Sequence, residues 1–282
     1  MTPPRLTVAT AQFALTARPL INAKRMAALI HRSAEAGAQV AHFPECALSG
    51  YPRQQLESWQ GYDWTALEVA QDLVAQACRD AGLWAVYGSA QPLADAALPH
   101  NSVFVVAPDG QACGRYDKRC CSLRELDYFT PGGGPAIIEI AGLRCGVLLC
   151  LEWSFPELWR AYADAGVELV FLSAYAAGLQ GRHLHSDVIP PVLQGHAFTN
   201  SLFISTSNAC NPSQAFASHW VKRSGRRGSA CRRHRPGLTV NAVADDPEKD
   251  AVYRRIRAFR AEASSGRLYR NLQRSEAKLK DE

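Results

Sequence analysis

The sequence predicts a layered α/β protein with mixed sheets, and three observations carry that prediction. The opening part alternates strand and helix patterns in the order β-α-β-α-β. Two tight turns, Pro108-Asp109-Gly110 and Ala141-Gly142, each lie between strand-like runs. Beyond Cys150 a helix-like segment is followed by the apolar runs VELVFLS, LFISTS and GLTVNAVA. A chain of 282 residues with 47% hydrophobic content can bury a full core. Because no Pro/Ser/Gly-rich linker or internal repeat divides it, one domain over residues 1–282 is expected.

In chain order, LTVATAQFAL from Leu6 reads as a strand, and INAKRMAALIHRSAEAGA repeats apolar residues at helical spacing up to Gly37 as its stop. QVAHF then returns to strand and delivers Glu45. A second helix starts at Asp63 as N-cap, carries Leu67, Ala70, Leu73, Val74 and Ala77 on one face and ends at Gly82, before the strand LWAVYGSA. NSVFVVA and QACGRYDK form a hairpin whose far end presents Lys118; AIIEI and LRCGVLLC form another that ends at Cys150. Ser154 and Glu157 have capping-box spacing with Pro156 in the first turn, so a helix is expected from there to Gly166. Residues Glu248 to Ala263 also read as helical.

Composition narrows the class. The longest apolar stretch, around CGVLLCLEW, is far below the roughly 18 residues of a membrane span, and MTPPRLTVATAQ lacks a signal-peptide pattern, so a soluble, cytoplasmic protein with no membrane partner is expected. Nine cysteines at irregular spacings fit reduced thiols, and no pair has the C-x-x-C spacing of a zinc site. The net charge of +5 is local: Lys222 to Arg235 hold seven of the 31 Lys and Arg and no acid, leaving 24 basic against 26 acidic residues elsewhere.

Three segments place a reactive side chain at the end of a strand-like run, where a rigid sheet can aim it into a pocket. They are HFPE ending at Glu45, YDKR containing Lys118, and LLCLEWSFPELWR containing Cys150. A cysteine attacks as thiolate, and a free pKa near about 8.5 leaves little of it ionised at neutral pH, so it needs a base or a cation beside it. Glu45 could be the base and Lys118 the cation. Singly, each has a plainer reading: an inert buried cysteine, a turn carboxylate after Pro44, and a solvated strand end beside Arg119.

Together the three contexts resemble the nitrilase superfamily, the carbon-nitrogen hydrolases. GVLLCLEWSFPELWR resembles that family's nucleophile segment, HFPECALSGY its general-base segment, and YDKRCCSLRELDYFTPGG its lysine segment, with Glu125 four residues before Phe129. The likeness runs from Leu6 to about Asn211 and takes in Asn101 and Asn200. It implies a four-layer αββα sandwich and a catalytic triad of Glu45, Lys118 and Cys150. Glu45 would take the thiol proton, while Lys118 and the backbone N–H of Leu151 would stabilise the developing oxyanion. Glu125 would orient the substrate or raise the pKa of Glu45, and Tyr51 and Glu152 join it as supporting or substrate-binding candidates. The implied substrate is a small amide or N-carbamoyl compound, cleaved through a cysteine thioester with release of ammonia or amine. The resemblance requires no cofactor and no metal, and implies a homodimer or larger homo-oligomer. True nitrilases differ just after the nucleophile, where this chain has Leu151-Glu152-Trp153, so a nitrile is the alternative substrate. LSGYP is also similar to glutaminase domains that feed ammonia to synthetases.

Two departures stand out. Many members place His two residues after the lysine, where this chain has Cys120, followed by Cys121. Residues 217–236, including WVKRSGRRGSACRRHR, replace an expected β-hairpin with a basic run of retained length and lost alternation. A changed reading frame, a disordered basic loop and a patch for an anionic partner are the readings of it, and damage to this hairpin would give a catalytically impaired relative. Nucleic acid as the main partner is disfavoured, since the run interleaves no aromatic beyond Trp220. His183-Leu184-His185-Ser186-Asp187 imitates a metal pattern but reads as a polar loop, and Gly132-Gly133-Gly134 lacks the lysine of a phosphate loop.

Overall fold

The computed structural model describes residues 6–94, 98–176, 184–210, 218–224, 227–230, 237–243 and the helical positions 255 and 258. By contacts the chain divides into two compact units, Thr2–Val243 and Ala244–Glu282 with Met1; every element below belongs to the first. The helix expected over 248–263 lies outside the described residues except for Arg255 and Ala258.

The expected alternation is realised as β1 (Leu6–Gln12), α1 (Pro19–Glu35), β2 (Val40–His42), α2 (Trp64–Ala81) and β3 (Trp84–Gln91). The hairpins are β4 (His100–Val106) with β5 (Ala112–Asp117), and β6 (Ile137–Ile140) with β7 (Leu143–Leu149). A 3-10 turn over Cys150–Ser154 leads into α3 (Pro156–Asp164), then β8 (Leu169–Ala174), α4 (Leu184–Asn200) and β9 (Phe203–Asn208). Three late strands follow, β10 (His219–Val221), β11 (Arg227–Ala230) and β12 (Gly237–Val243).

These form two six-stranded sheets in the orders β12-β1-β2-β3-β4-β5 and β11-β10-β9-β8-β7-β6. Each has a parallel centre, β1-β2-β3 or β7-β8-β9, with antiparallel flanks. The parallel strands are buried on both faces and therefore read as continuous apolar runs, as in LVFLSA. The inner faces meet through Val8, Val40, Val86 and Tyr116 on one side and Val147, Phe171 and Trp220 on the other. Met26, Ile30, Leu67 and Val74 seat α1 and α2 on the outer face of the first sheet, and Trp159, Tyr162 and Leu193 seat α3 and α4 on that of the second. The result is the four-layer αββα sandwich.

Local chemistry sets the element ends. Asp63 caps α2 by accepting from the Ala66 N–H at 2.8 Å, and Gly82 closes it in a left-handed conformation at φ 59°. The capping box expected of Ser154 and Glu157 does not form. Ser154 ends the 3-10 turn and its hydroxyl donates instead to the Leu151 carbonyl at 2.8 Å, leaving Phe155 as an N-cap without a side-chain bond. The polar loop expected at His183–Asp187 is corrected as well: from Leu184 the chain is helical and opens α4, despite Pro190 and Pro191 inside that helix. His183 lies outside the described residues.

The late basic segment does not replace the hairpin, as its composition led us to expect. His219–Val221 pairs with β9 on one side and with β11 on the other, with an irregular register between His219 and Val221. Three residues, His-Trp-Val, are enough to bury a strand, because the sheet bonds through the backbone and Trp220 and Val221 are fully enclosed. Arg223 is accommodated by an ion pair with Glu168 and by lying 4.7 Å over the Phe203 ring.

Candidate active site

Glu45 lies just beyond β2, Lys118 is the first residue after β5, and Cys150 follows β7 directly. The two sheets thus bring three distant segments to one place. Glu45 is completely buried and its carboxylate is fully engaged. Its Oε1 accepts from Lys118 Nζ at 2.9 Å and Asn101 Nδ2 at 2.7 Å, and its Oε2 from the Tyr175 backbone N–H at 2.8 Å. Lys118, also completely buried, donates to Glu125 Oε1 at 2.5 Å. Glu125 in turn accepts from the Tyr51 hydroxyl at 3.1 Å and the Ser122 N–H at 2.8 Å. One ammonium is clamped between two carboxylates.

This arrangement splits the two acids. Burial raises the Glu45 pKa against the pull of Lys118. Burial acts on Glu125 too, but there the Lys118 ammonium and the Lys118 and Ser122 hydrogen bonds outweigh it and hold the carboxyl low. Lys118 stays protonated: the burial that would lower it is overcome by Glu45 and Glu125, which lift its pKa well above the usual lysine value.

Cys150 sits at φ 42°, a left-handed conformation that a side chain rarely adopts, at a sharp turn from strand to helix. Burial, then Glu45, pushes its thiol well up, while Lys118 and the Tyr175 N–H pull it down. Burial, together with two carboxylates against one ammonium, thus favours the thiol over the thiolate. The first N–H groups of a helical turn lack intrahelical acceptors, and Leu151 stands second in the turn that Cys150 opens.

Glu152 is buried as a bracket rather than at a ligand surface. Its Oε1 accepts from the Tyr116 hydroxyl at 2.7 Å and the Arg119 and Cys120 N–H groups at 2.9 and 3.1 Å, and its Oε2 from the Leu149 N–H at 2.8 Å. One carboxylate therefore ties the strand end carrying Lys118 to the turn carrying Cys150. Tyr51 stacks on Tyr175 at 4.7 Å with ring planes 5° apart, and both line a cavity of about 310 Å³. Glu125 also lines it, alongside Arg53, Arg124 and Phe129. Cys120 and Cys121 are half-buried and free.

Sequence reasoning missed the residues that reach the cluster from far along the chain. The Tyr175 N–H, 130 positions from Glu45, is one. His42 is another: its ring bridges Ser205 Oγ at 2.8 Å and Ser173 Oγ at 3.0 Å, which joins β2 to the opposite sheet, and Ser173 donates to the Phe43 carbonyl at 2.9 Å. A buried-side histidine in HFPE was the available signal. Among the described residues no group of three or more His, Cys, Asp or Glu could hold a metal, and no helix is long and apolar enough to cross a membrane.

A doubled α/β sandwich with a carboxylate-lysine-carboxylate cluster and a strand-end cysteine defines a class of C–N bond hydrolases. The family model described as "Carbon-nitrogen hydrolase" matches residues 7–224, and the chain belongs to that family. It is similar to a nitrilase of Pyrococcus abyssi, 30% identical over 151 residues covering 50% of this chain and 54% of that protein. It is also similar to a glutamine-dependent NAD(+) synthetase of Xylella fastidiosa, 32% identical over 192 residues covering 65% and 34%. The chain thus spans about half the length of the first and about a third of the second. An omega-amidase of Xenopus laevis is 22% identical over 71% of this chain and 72% of its own. Among solved structures, the amidase of Nesterenkonia sp. AN1 shares the fold, with TM-score 0.77 and 23% identity over 95% of this chain and 97% of that one. In one of its structures the active-site cysteine carries the acetamide moiety of fluoroacetamide.

Proposed function

We propose that the protein hydrolyses a C–N bond of a small amide through a thioester on Cys150. The observation that carries this reading is the buried Glu45–Lys118–Glu125 cluster, whose charges act on the thiol of Cys150 and whose Glu125 lines a cavity open to the surface. The amidase and omega-amidase relatives, and the cysteine adduct of the Nesterenkonia enzyme, support an amide over a nitrile.

In this reading Glu45 takes the Cys150 proton as sulfur bonds to the amide carbon and the carbonyl electron pair moves onto oxygen. Lys118 and the Leu151 N–H stabilise that oxyanion. When the carbonyl reforms, the C–N bond breaks and the departing nitrogen takes the proton from Glu45. A water then loses a proton to Glu45 and adds to the thioester carbon; the C–S bond breaks, the acid leaves, and sulfur recovers its proton. The raised pKa of Glu45 suits a group that must both accept and return a proton. Glu125 keeps Lys118 placed and charged, and Tyr51 orients Glu125.

The test is turnover of a panel of small aliphatic amides with mass analysis of intact protein during reaction. We expect acid and ammonia in equal amounts, a transient acyl mass mapped to Cys150, and no turnover by Cys150→Ala. Turnover that survives Cys150→Ala, or no hydrolysis across the panel by folded protein, would sink the reading.

A further inference from the structure

We infer that Cys46 and Asn101 are positioning residues for Glu45: the Cys46 thiol anchors the Asn101 amide, which fills Glu45 Oε1 and leaves Oε2 to exchange the proton with Cys150. The inference rests on the amidase reading above. Cys46 and Asn101 are completely buried, and each bond in the chain has one possible direction. An ionised carboxylate only accepts, so the Asn101 group 2.7 Å from Glu45 Oε1 is the donating Nδ2. Asn101 Oδ1 then faces Cys46 Sγ at 3.6 Å, and because an amide oxygen also only accepts, the thiol donates. Burial, then Glu45, pushes the Cys46 thiol well up, which keeps that proton on sulfur. Ser49 is the other polar neighbour of this thiol, but its hydroxyl already donates to the Gly50 carbonyl and accepts from the Ala90 N–H, both at 3.0 Å.

Each oxygen of a carboxylate offers two acceptor sites. Lys118 and Asn101 take both on Glu45 Oε1. Among the described residues Oε2 accepts a single bond, from the Tyr175 N–H at 2.8 Å, and that N–H also acts on the Cys150 thiol. The open site is thus on the oxygen that shares a donor with the nucleophile. As the S–H bond breaks, its proton joins Oε2 and the sulfur electron pair bonds the amide carbon; the proton later passes from Oε2 to the departing nitrogen. Ionised Glu45 holds the amide by itself, but protonated Glu45 holds it less firmly. Were the amide to turn at that stage, Oδ1 would draw the proton onto Oε1, away from Cys150, and the bond from Cys46 opposes that turn. The backbone fixes the aim of the thiol. Cys46 stands at φ 50°, in a turn held by the Gly88 N–H, which donates to the Pro44 carbonyl at 3.1 Å, and by the Leu48 N–H, which donates to the Gly88 carbonyl at 3.0 Å. Asn101 is fixed as well, since its carbonyl accepts from the Lys118 N–H at 2.8 Å.

The test is the pH profile of kcat/KM for a small aliphatic amide. In parallel, the Glu45 carboxyl is titrated by carbon-13 NMR of glutamate-labelled protein, its signal assigned with Glu45→Gln. Lys118, Glu125, Tyr51 and the thiols of Cys46, Cys121 and Cys150 are the titratable groups around Glu45, and substitution of Cys46 leaves the others in place. Burial raises the Glu45 pKa and the Asn101 bond opposes it, so weakening that bond moves the acid limb to higher pH. We expect Cys46→Ala to move both the limb and the Glu45 titration up by about half a pH unit or more, and to cut kcat by about tenfold with KM little changed. Cys46→Ser, which keeps a donor, should recover most of the loss. Asn101→Leu should shift the limb further, and adding Cys46→Ala to it should cost little more, because Cys46 acts through that amide. An unmoved Glu45 titration in Cys46→Ala, equal losses in Cys46→Ala and Cys46→Ser, or full additivity in the double variant would overturn the inference and leave the amidase reading standing. If Asn101→Leu does not fold, the two Cys46 variants decide alone. No turnover by folded wild-type protein would overturn the amidase reading, and the Glu45 titration would still decide whether Cys46 acts on that carboxyl.

Discussion

Burial, and the crowding of two carboxylates around one ammonium, set the acid-base behaviour of the site. Lys118→Ala leaves Glu45 and Glu125 buried without their cation, and we expect a loss of about 3–5 kcal/mol in urea unfolding, partly recovered by adding Glu125→Gln. Glu125→Gln alone removes a charge that raises both Glu45 and Cys150. The acid limb of kcat/KM should therefore move to lower pH, and iodoacetamide should label Cys150 faster at neutral pH than in the wild type; a profile that stays put would show that the carboxylates do not communicate. Glu45, Lys118 and Cys150 were legible in the sequence because each ends a strand-like run in a distinctive local context. The third charge was legible only through resemblance, since nothing local says that Glu125 reaches Lys118. Nor does the sequence reveal that the thiol is pushed up, because that depends on how deeply it is buried and on which acids converge on it, and only the fold decides both.

The elements hold these residues through a few backbone contacts. Glu152 satisfies four donors from two segments, so Glu152→Ala should leave buried N–H groups unpaired and unpin the Cys150 turn from the end of β5. We expect kcat to fall by about a hundredfold with KM altered far less, and a melting loss of at least about 3 kcal/mol. Loss of stability with kcat intact would make Glu152 purely structural. Gly88 in β3 offers a second probe. A Cβ there would meet the Cys46 N, the Pro44 carbonyl oxygen at 2.6 Å and Glu45 Cα at 2.7 Å, all within the turn that delivers the base. Gly88→Ala should thus cut activity by shifting Glu45, and a crystal structure of the variant would show the turn displaced. The strands and first two helices were readable from periodicity and caps. The opening of α4 was not, because Pro190-Pro191 and a polar start hide its pattern. The β10–β11 pair was not either, because its strands are only three and four residues long and are flanked by basic residues that hide any alternation.

Across the whole molecule the two sheets are stitched near the site by polar groups within an otherwise apolar seam. Thr10 Oγ1 and His42 both bond Ser205 Oγ, at 3.0 and 2.8 Å, and Ser207 donates to the Ala11 carbonyl at 2.6 Å. Burial lowers the His42 pKa from 6.5 to about 3, so the folded state holds it neutral while the unfolded state would protonate it between those values. The contribution is fully present above pH 6.5 and is lost as pH falls toward 3, with a slope of at most roughly 1.4 kcal/mol per pH unit. His42→Gln should flatten that part of the stability curve measured by denaturant titration at stepped pH; an unchanged slope would assign the acid sensitivity elsewhere. Such a bridge is invisible in sequence, since its partners stand 131 and 163 positions away.

The reactive cluster is mounted on strand ends, whereas the cavity beside it is walled by residues from 51–54 and 122–129 in two connecting segments. Tyr51 and Glu125 aside, chemistry and selectivity are therefore written in separable stretches of the gene. Drift confined to the other positions of those two connections can change which molecules are accepted while inheritance of the reaction itself stays untouched.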